Sequence, residues 1–450
     1  MLEARPTALA DLTSFVPGRV HLPGSDDYSR GVAIWNGAVT ARPAAVARPR
    51  SSDEVQQIVR FAREHDLALT VRGGGHDWAG RALNDGGLVV DLSGMRQVRV
   101  DPVAREAVVD GGATADDVVR AAESHGLTAA TGTVGDVGMV GFTLAGGYGP
   151  LNGIAGLGVD NLIEAQVVLA DGRSVTATEA TEPDLFWALR GGGGNFGVVT
   201  RIRLRLHPVG AVTTGVLVFP WQQANHVLRG YDALIPSMPD HLTVQSGVIS
   251  TPDGQPAVFL APTWVGDSEE ASRWIGEVSR LGSPVVEQVA SMSPSLQLHL
   301  LDEMVPRGRS YELRTVNLAA LSTAAIDALV RAGSTRTSPF SMVAIHHFHG
   351  ASTRIGVADT AFGIRTPHFM VEIIAAWESG DATVHQDWAQ ALFDALRVDA
   401  LPGGYPNLMG PNQRSQADAA YGPNAERLLD VKKQWDGANA FAATLLPSRR

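Results

Sequence analysis

Three glycine-dense stretches punctuate the N-terminal half of this chain: Arg72-Gly-Gly-Gly-His76, Gly132 to Gly149, and Gly191 to Gly197. The first closes the apolar run Leu67-Ala-Leu-Thr-Val71 and the third leads into Val198-Val-Thr-Arg-Ile-Arg-Leu-Arg-Leu206, so they are turns between regular elements rather than a linker. Glycine tolerates φ > 0 and has no Cβ, so backbone N–H groups in such turns can close on a phosphate or lie flat against a planar group. Three of them in one α/β region imply a long ligand touched by backbone at several points. His76, which ends the first, can reach past the phosphates to whatever they carry.

A chain of 450 residues exceeds one hydrophobic core, so two domains are expected. Lys plus Arg number 36 against 47 Asp plus Glu, for a net charge of −11, and no basic cluster is dense enough to track a nucleic-acid backbone. Cysteine is absent, which excludes disulfides, thiolate metal sites, cysteine nucleophiles and cysteinyl cofactor links. The start, Met1-Leu-Glu-Ala-Arg-Pro6, lacks a basic region followed by an apolar one, and no run approaches the roughly 18 apolar residues of a membrane span. A cytoplasmic protein without a membrane partner is expected, and its Ala, Gly and Arg usage suits a GC-rich bacterial genome.

Ser51-Ser-Asp-Glu54 has capping-box spacing and opens a helix to about Arg63 with the apolar stripe Val55, Ile58, Val59 and Ala62. Leu88 to Leu92 reads as a buried strand, Val98 to Val100 with Ala107 to Val109 as a hairpin around Asp101-Pro102, and Thr114 to Ser124 as a capped helix. Ile163 to Leu169 is a strand, and Glu182 to Leu189 a helix with proline in its first turn. In Val198 to Leu206 apolar and basic residues alternate as in a half-exposed strand. Strands at Val212 to Val218, Leu242 to Ser246, Ala257 to Ala261 and Phe369 to Ala376, interleaved with helices at Glu269 to Leu281 and Ala324 to Ala332, point to an antiparallel sheet with helices on one face. Gly192-x-Gly194-x-x-Gly197 matches the dinucleotide fingerprint in letters only. It follows a helix and opens a strand, the reverse of a Rossmann turn, so a tight turn against a planar ligand or a neighbouring segment is expected.

Four motifs in order, Arg72 to Gly80, Gly132 to Gly149, Gly156-Leu-Gly-Val-Asp-Asn-Leu162 and Asp184 to Val199, resemble the berberine bridge enzyme-like FAD-linked oxidases, of the vanillyl-alcohol-oxidase or PCMH type of FAD-binding fold. Ala420 to Leu429 with Trp435-Asp-Gly-Ala-Asn-Ala-Phe441 resembles the family's closing segment, so the likeness spans nearly the whole chain. The resemblance implies an α+β protein: a two-part FAD-binding domain from residues 1–207 (core about 40–207), completed by 420–450, and a substrate domain at 208–419 whose antiparallel sheet is covered by helices. It assigns FAD to Arg72, Gly73, Gly74, Gly75, His76, Asp77 and Gly80, then to Gly132, Thr133, Val134, Val137, Gly138, Gly141, Phe142, Gly146, Gly147 and Gly149, and to Val198, Val199 and Asn407. It also implies a covalent bond from His76 to the 8α-methyl of the flavin, which retains the cofactor and raises its oxidising power. Where many relatives add a cysteinyl bond this chain has Val134, so the link is single. Val137 stands where members that react with oxygen tend to carry a small residue, which favours an oxidase.

The usual catalytic Tyr-x-Asn-Tyr is here Tyr405-Pro-Asn407-Leu408, and Leu408 cannot accept a proton. Glu372, a carboxylate inside the apolar run Met370-Val-Glu-Ile-Ile374, is the first candidate base, since burial raises a carboxyl toward a useful pKa; a buried paired acid is the alternative. Tyr148, Tyr405 and His349 are the others. His346, His347 and His349 form a dense cluster with His347 and His349 on one strand face; no third ligand accompanies them, so no metal is expected. The implied reaction is hydride transfer to flavin from an alcohol, amine or activated C–H of a secondary metabolite or sugar-like small molecule, with molecular oxygen as acceptor and hydrogen peroxide as product. A dehydrogenase with another acceptor, or a flavoprotein catalysing a cyclisation, are the alternatives, and a homodimer stays open.

Overall fold

Leu88, Val89 and Val90 are fully buried, as a strand with partners on both sides requires. In the structure, a computed structural model that describes residues 12–448, Leu88–Asp91 lies between the parallel strands Ala45–Ala47 and Leu69–Arg72, with Val20–His21 antiparallel at the edge. Helix Ser52–Glu64 packs Val55, Ile58, Val59 and Ala62 against this sheet. Ser51 caps it as expected, but the Glu54 carboxylate accepts from the N–H of Arg50 rather than from Ser51, so only half of the expected box forms.

The next sheet has five antiparallel strands in the order Val98–Asp101, Glu106–Asp110, Val198–Arg205, Leu162–Val168, Ser174–Ala177. The alternation in its central strand has a clear cause. Ile202 and Leu204 point into the core, while Arg201 pairs with Asp110 and Arg203 with Glu106 and Glu164 on the two neighbouring strands. Helix Ala115–Glu123 carries a full capping box between Thr114 and Asp117.

Residues 212–377 build a seven-stranded antiparallel sheet, ordered Val286–Met292, Val212–Pro220, Pro256–Trp264, Leu242–Ser250, Met342–Phe348, His368–Trp377, Ser310–Leu318. Side chains alternate across a strand. Val343, Ile345, Val371, Ile373 and Ala375 therefore join a core with helices Ala224–Leu234, Ser268–Ser279, Thr323–Ser334 and Ala382–Leu396. Met342, Ala344, His346, Met370, Glu372 and Ile374 face the other way, toward the glycine turns. Two strands escape the sequence pattern. Val286–Met292 is a polar edge, and Ser310–Leu318 carries Glu312 and Arg314, which pair with each other.

After the sheet the chain returns, burying Tyr421, Leu428 and Val431 against Leu185 to Leu189. Lys432 anchors this return: its ammonium donates to Asp436 at 2.6 Å and to the carbonyls of Asn195 and Phe441 at 2.7 Å each. Asp436 is 0% exposed at its side chain. Lys432→Met leaves that buried carboxylate without its counter-charge, held only by the N–H groups of Ala440 and Phe441, and a loss of about 3–5 kcal/mol, read from urea unfolding, is the expected result. Among the described residues no helix is long and apolar enough to cross a membrane.

Candidate active site

A cavity of about 460 Å³ runs between the glycine turns and the free face of the seven-stranded sheet. At one end its wall is backbone. Gly73, Gly74, Gly75, His76 and Asp77 come from the first turn, Gly132, Thr133, Val134, Val137, Gly138, Gly141 and Phe142 from the second, with Val199 from the central strand of the five-stranded sheet. A Cβ at Gly141 would meet nothing within 4 Å, and one at Gly73 only Gly111 O at 3.6 Å. These two glycines leave room in the cavity rather than in the fold, which fits a long ligand laid against the backbone.

Several residues assigned to the cofactor stand elsewhere. Arg72 is held by Asp91 at 2.8 Å, Gly80 packs on Val39, Gly149 on Thr131, and Val198 lies in the core beside Val168. Gly146 and Gly147 lie behind the wall against Tyr405, whose hydroxyl oxygen accepts from the N–H groups of Gly147 and Tyr148 at 2.7 and 2.9 Å. Tyr405 and Asn407 themselves line the cavity, and Asn407 donates to Phe142 O at 3.0 Å. The third glycine turn meets the closing segment there: Gly193 and Gly194 abut Thr444 and Ala443, and Asn195 Oδ1 accepts from Ala443 N at 2.8 Å. The tight turn expected from the inverted fingerprint is what forms.

His76 lies in the wall beside Trp35, rings 5.7 Å apart, and its Nε2 is 2.5 Å from Asp136 Oδ1. Burial lowers its pKa more than the Asp136 carboxylate raises it, so the imidazole is neutral.

At the sheet end Glu372 Oε2 lies 3.2 Å from His346 Nε2. The two are diagonal neighbours, because Ala344 stands opposite Glu372 and Met370 opposite His346. Among the described residues His346 Nδ1 and the Tyr148 hydroxyl are buried without a hydrogen-bond partner, the Tyr148 oxygen approaching the backbone of His347 without making a good bond. Orphaned polar atoms in a cavity wall are what an incoming polar group would satisfy. Burial pushes the Tyr148 phenol far up and that of Tyr405 to about 12, so both stay protonated and neither serves as base at neutral pH.

His349 is a correction: it is absent from the cavity, because strand alternation turns it and His347 to the other face. Their rings stack 4.5 Å apart, His347 resting on Phe369 of the helix-covered core and His349 reaching Thr243. The histidine cluster reaches the cavity through His346 alone, while sequence reasoning missed the cavity positions of Gln245, Met342 and the closing residues Ala440 to Thr444. A polar Gln245 in an apolar strand was a usable signal; the others needed the register.

A family model for an FAD binding domain matches residues 43–178, and one for berberine and berberine-like proteins matches residues 404–445. The FAD-linked oxidoreductase aurO of Gibberella zeae is 30% identical over 448 residues, covering 97% of this chain and 87% of that protein. The crystal structure of 6-hydroxy-D-nicotine oxidase from Arthrobacter nicotinovorans superposes with a TM-score of 0.86 at 27% identity, over 95% of this chain and 97% of that one. Glucooligosaccharide oxidase from Acremonium strictum, described with a 6-S-cysteinyl, 8α-N1-histidyl FAD, shares the fold at TM-score 0.86 and 22% identity, over 98% of this chain and 100% of that one. The fold is that of the PCMH-type FAD-binding flavoproteins, an α+β architecture. The chain belongs to the berberine bridge enzyme-like FAD-linked oxidoreductases.

Proposed function

We propose that this protein is an oxidase holding FAD by a single covalent bond from His76 and oxidising a small, largely apolar alcohol or amine, with molecular oxygen as electron acceptor. The observation that carries this reading is one cavity that joins the His76 loop to the Glu372–His346 pair. FAD, when bound, supplies the two-electron acceptor for hydride. The wall residues from Gly73 to His76 and from Gly132 to Phe142 would hold it. Val134 offers no thiol, which supports a single link.

Glu372 is the base in this reading. Its free oxygen takes the substrate O–H or N–H proton, while His346 fixes the other; Tyr148, a neutral phenol, donates to the substrate heteroatom. Beside the polar His346, Gln245 and Tyr148, the cavity that holds Glu372 is lined by Leu313, Met342, Met370, Ile374 and Leu408, and a hydroxyl-rich sugar would find few partners among these. A peroxide-release screen of aromatic and alicyclic alcohols and amines beside oligosaccharides tests this; turnover of the sugars alone would refute the substrate class.

The covalent link has a direct expected result. The purified protein stays yellow after acid precipitation, and His76→Ala binds FAD that acid releases to the supernatant. Colour lost from the unaltered protein would overturn the link.

A further inference from the structure

Behind His76 lies a charged pair drawn from two distant segments. Asp136, in the second glycine stretch, meets His76 Nε2 with one carboxylate oxygen at 2.5 Å; Arg307, from the segment before strand Ser310–Leu318, binds the other oxygen through Nε and donates to Gly74 O through Nη2 at 2.6 Å. Arg307 thus clamps the first and second glycine turns together at the histidine. A carboxylate only accepts, so the neutral ring carries its proton on Nε2 and its lone pair on Nδ1. Nδ1 makes no hydrogen bond among the described residues. Burial works against ionising Asp136, but the hydrogen bond from His76 and the charge and hydrogen bond of Arg307 outweigh it and hold the group well below the usual carboxylate range. The Asp136 side chain is also 45% exposed and borders a second cleft lined by Arg72, Arg96 and His299. It therefore connects a buried ring nitrogen to solvent.

We infer that Asp136, clamped by Arg307, is the positioning residue for cofactor attachment: it holds His76 in the Nε2–H tautomer, leaves Nδ1 as the nucleophile and carries the Nε2 proton away. This rests on the proposed His76 link. In the step, an Nδ1–carbon bond forms at the flavin 8α-methyl as one C–H bond there breaks and Nε2–H is lost. The two protons and two electrons released are taken up by molecular oxygen, giving hydrogen peroxide, so atoms and electrons balance.

The test compares unaltered protein, Asp136→Ala, Asp136→Asn and Arg307→Met, each purified and incubated with FAD. Total bound flavin is read by absorbance, and the covalent fraction by acid precipitation and in-gel flavin fluorescence. Asp136→Ala is expected to bind FAD but to attach it about 10- to 100-fold more slowly. Arg307→Met shows a smaller slowing, and Asp136→Asn, whose amide oxygen still accepts from Nε2–H, recovers part of the rate. Attachment in Asp136→Ala as fast as in the unaltered protein would overturn the inference while leaving the His76 link intact. Acid-labile flavin in the unaltered protein would remove the link itself and this inference with it. If Asp136→Ala fails to bind FAD, Arg307→Met and Asp136→Asn decide: normal attachment in both overturns the role.

Discussion

Glu372→Gln is expected to keep its flavin and lose the reaction. Glutamine preserves the length of the side chain and a hydrogen bond toward His346 but cannot take a proton. Removing a positioned general base costs about 10²- to 10⁴-fold, which corresponds to about 3–5 kcal/mol of transition-state stabilisation. The measurement is anaerobic stopped-flow bleaching of the flavin by substrate, which isolates the reductive step from reoxidation. Neither tyrosine in the wall can substitute, because burial keeps both phenols protonated. Tyr148→Phe, which removes a donor rather than the base, should slow bleaching far less. Bleaching in Glu372→Gln within a few-fold of the unaltered rate would show that the proton leaves by another route.

The second large effect is acid sensitivity of the fold. Burial pushes the pKa of His207 down to about 4 and that of His368 to about 4; in the stacked pair burial and mutual repulsion bring His347 to about 3, while burial takes His349 to about 4, against an ordinary 6.5. The sign follows from linkage: as pH falls below about 6.5 the unfolded chain binds protons that the folded one refuses, so stability drops with pH down to about 4 and then levels off. Each histidine is worth about 3 kcal/mol at the bottom of that window, comparable in sum with a whole domain's stability. His299, raised by its bond to Asp302, acts in the opposite sense but sits on the surface, where solvent screens it. Urea midpoints should fall steadily from about pH 7 to about pH 4.5, and His347→Gln should flatten the decline. A midpoint unchanged over that interval would contradict the burial of these rings as neutral species.

Much of the site was legible because backbone chemistry is local. A run such as Gly73-Gly-Gly-His76 states its own conformational freedom, and the motif order around it carried the family, the cofactor and most of the cavity's backbone wall. Where a glycine served packing instead, as at Gly80 and Gly149, the sequence looked the same, since a missing Cβ makes room for a neighbouring side chain as readily as for a ligand. The sheet end was harder. Three histidines within Ile345-His-His-Phe-His349 carry no mark of which one faces the cavity, and a shift of one residue exchanges the two faces.

By itself, then, the sequence determined the fold class, the glycine turns that wall the cavity, the absence of any thiol for a second link, and the loss of the usual tyrosine at Leu408. Those follow from residue type and short-range order. Only the tertiary structure decided that His346 rather than His349 partners Glu372, that Tyr405 is tied to the second glycine turn, and that Asp136 and Arg307 meet at His76. Such pairings join strands and loops far apart in the chain, and they are set by sheet register and by long-range packing, which no local pattern of residues encodes.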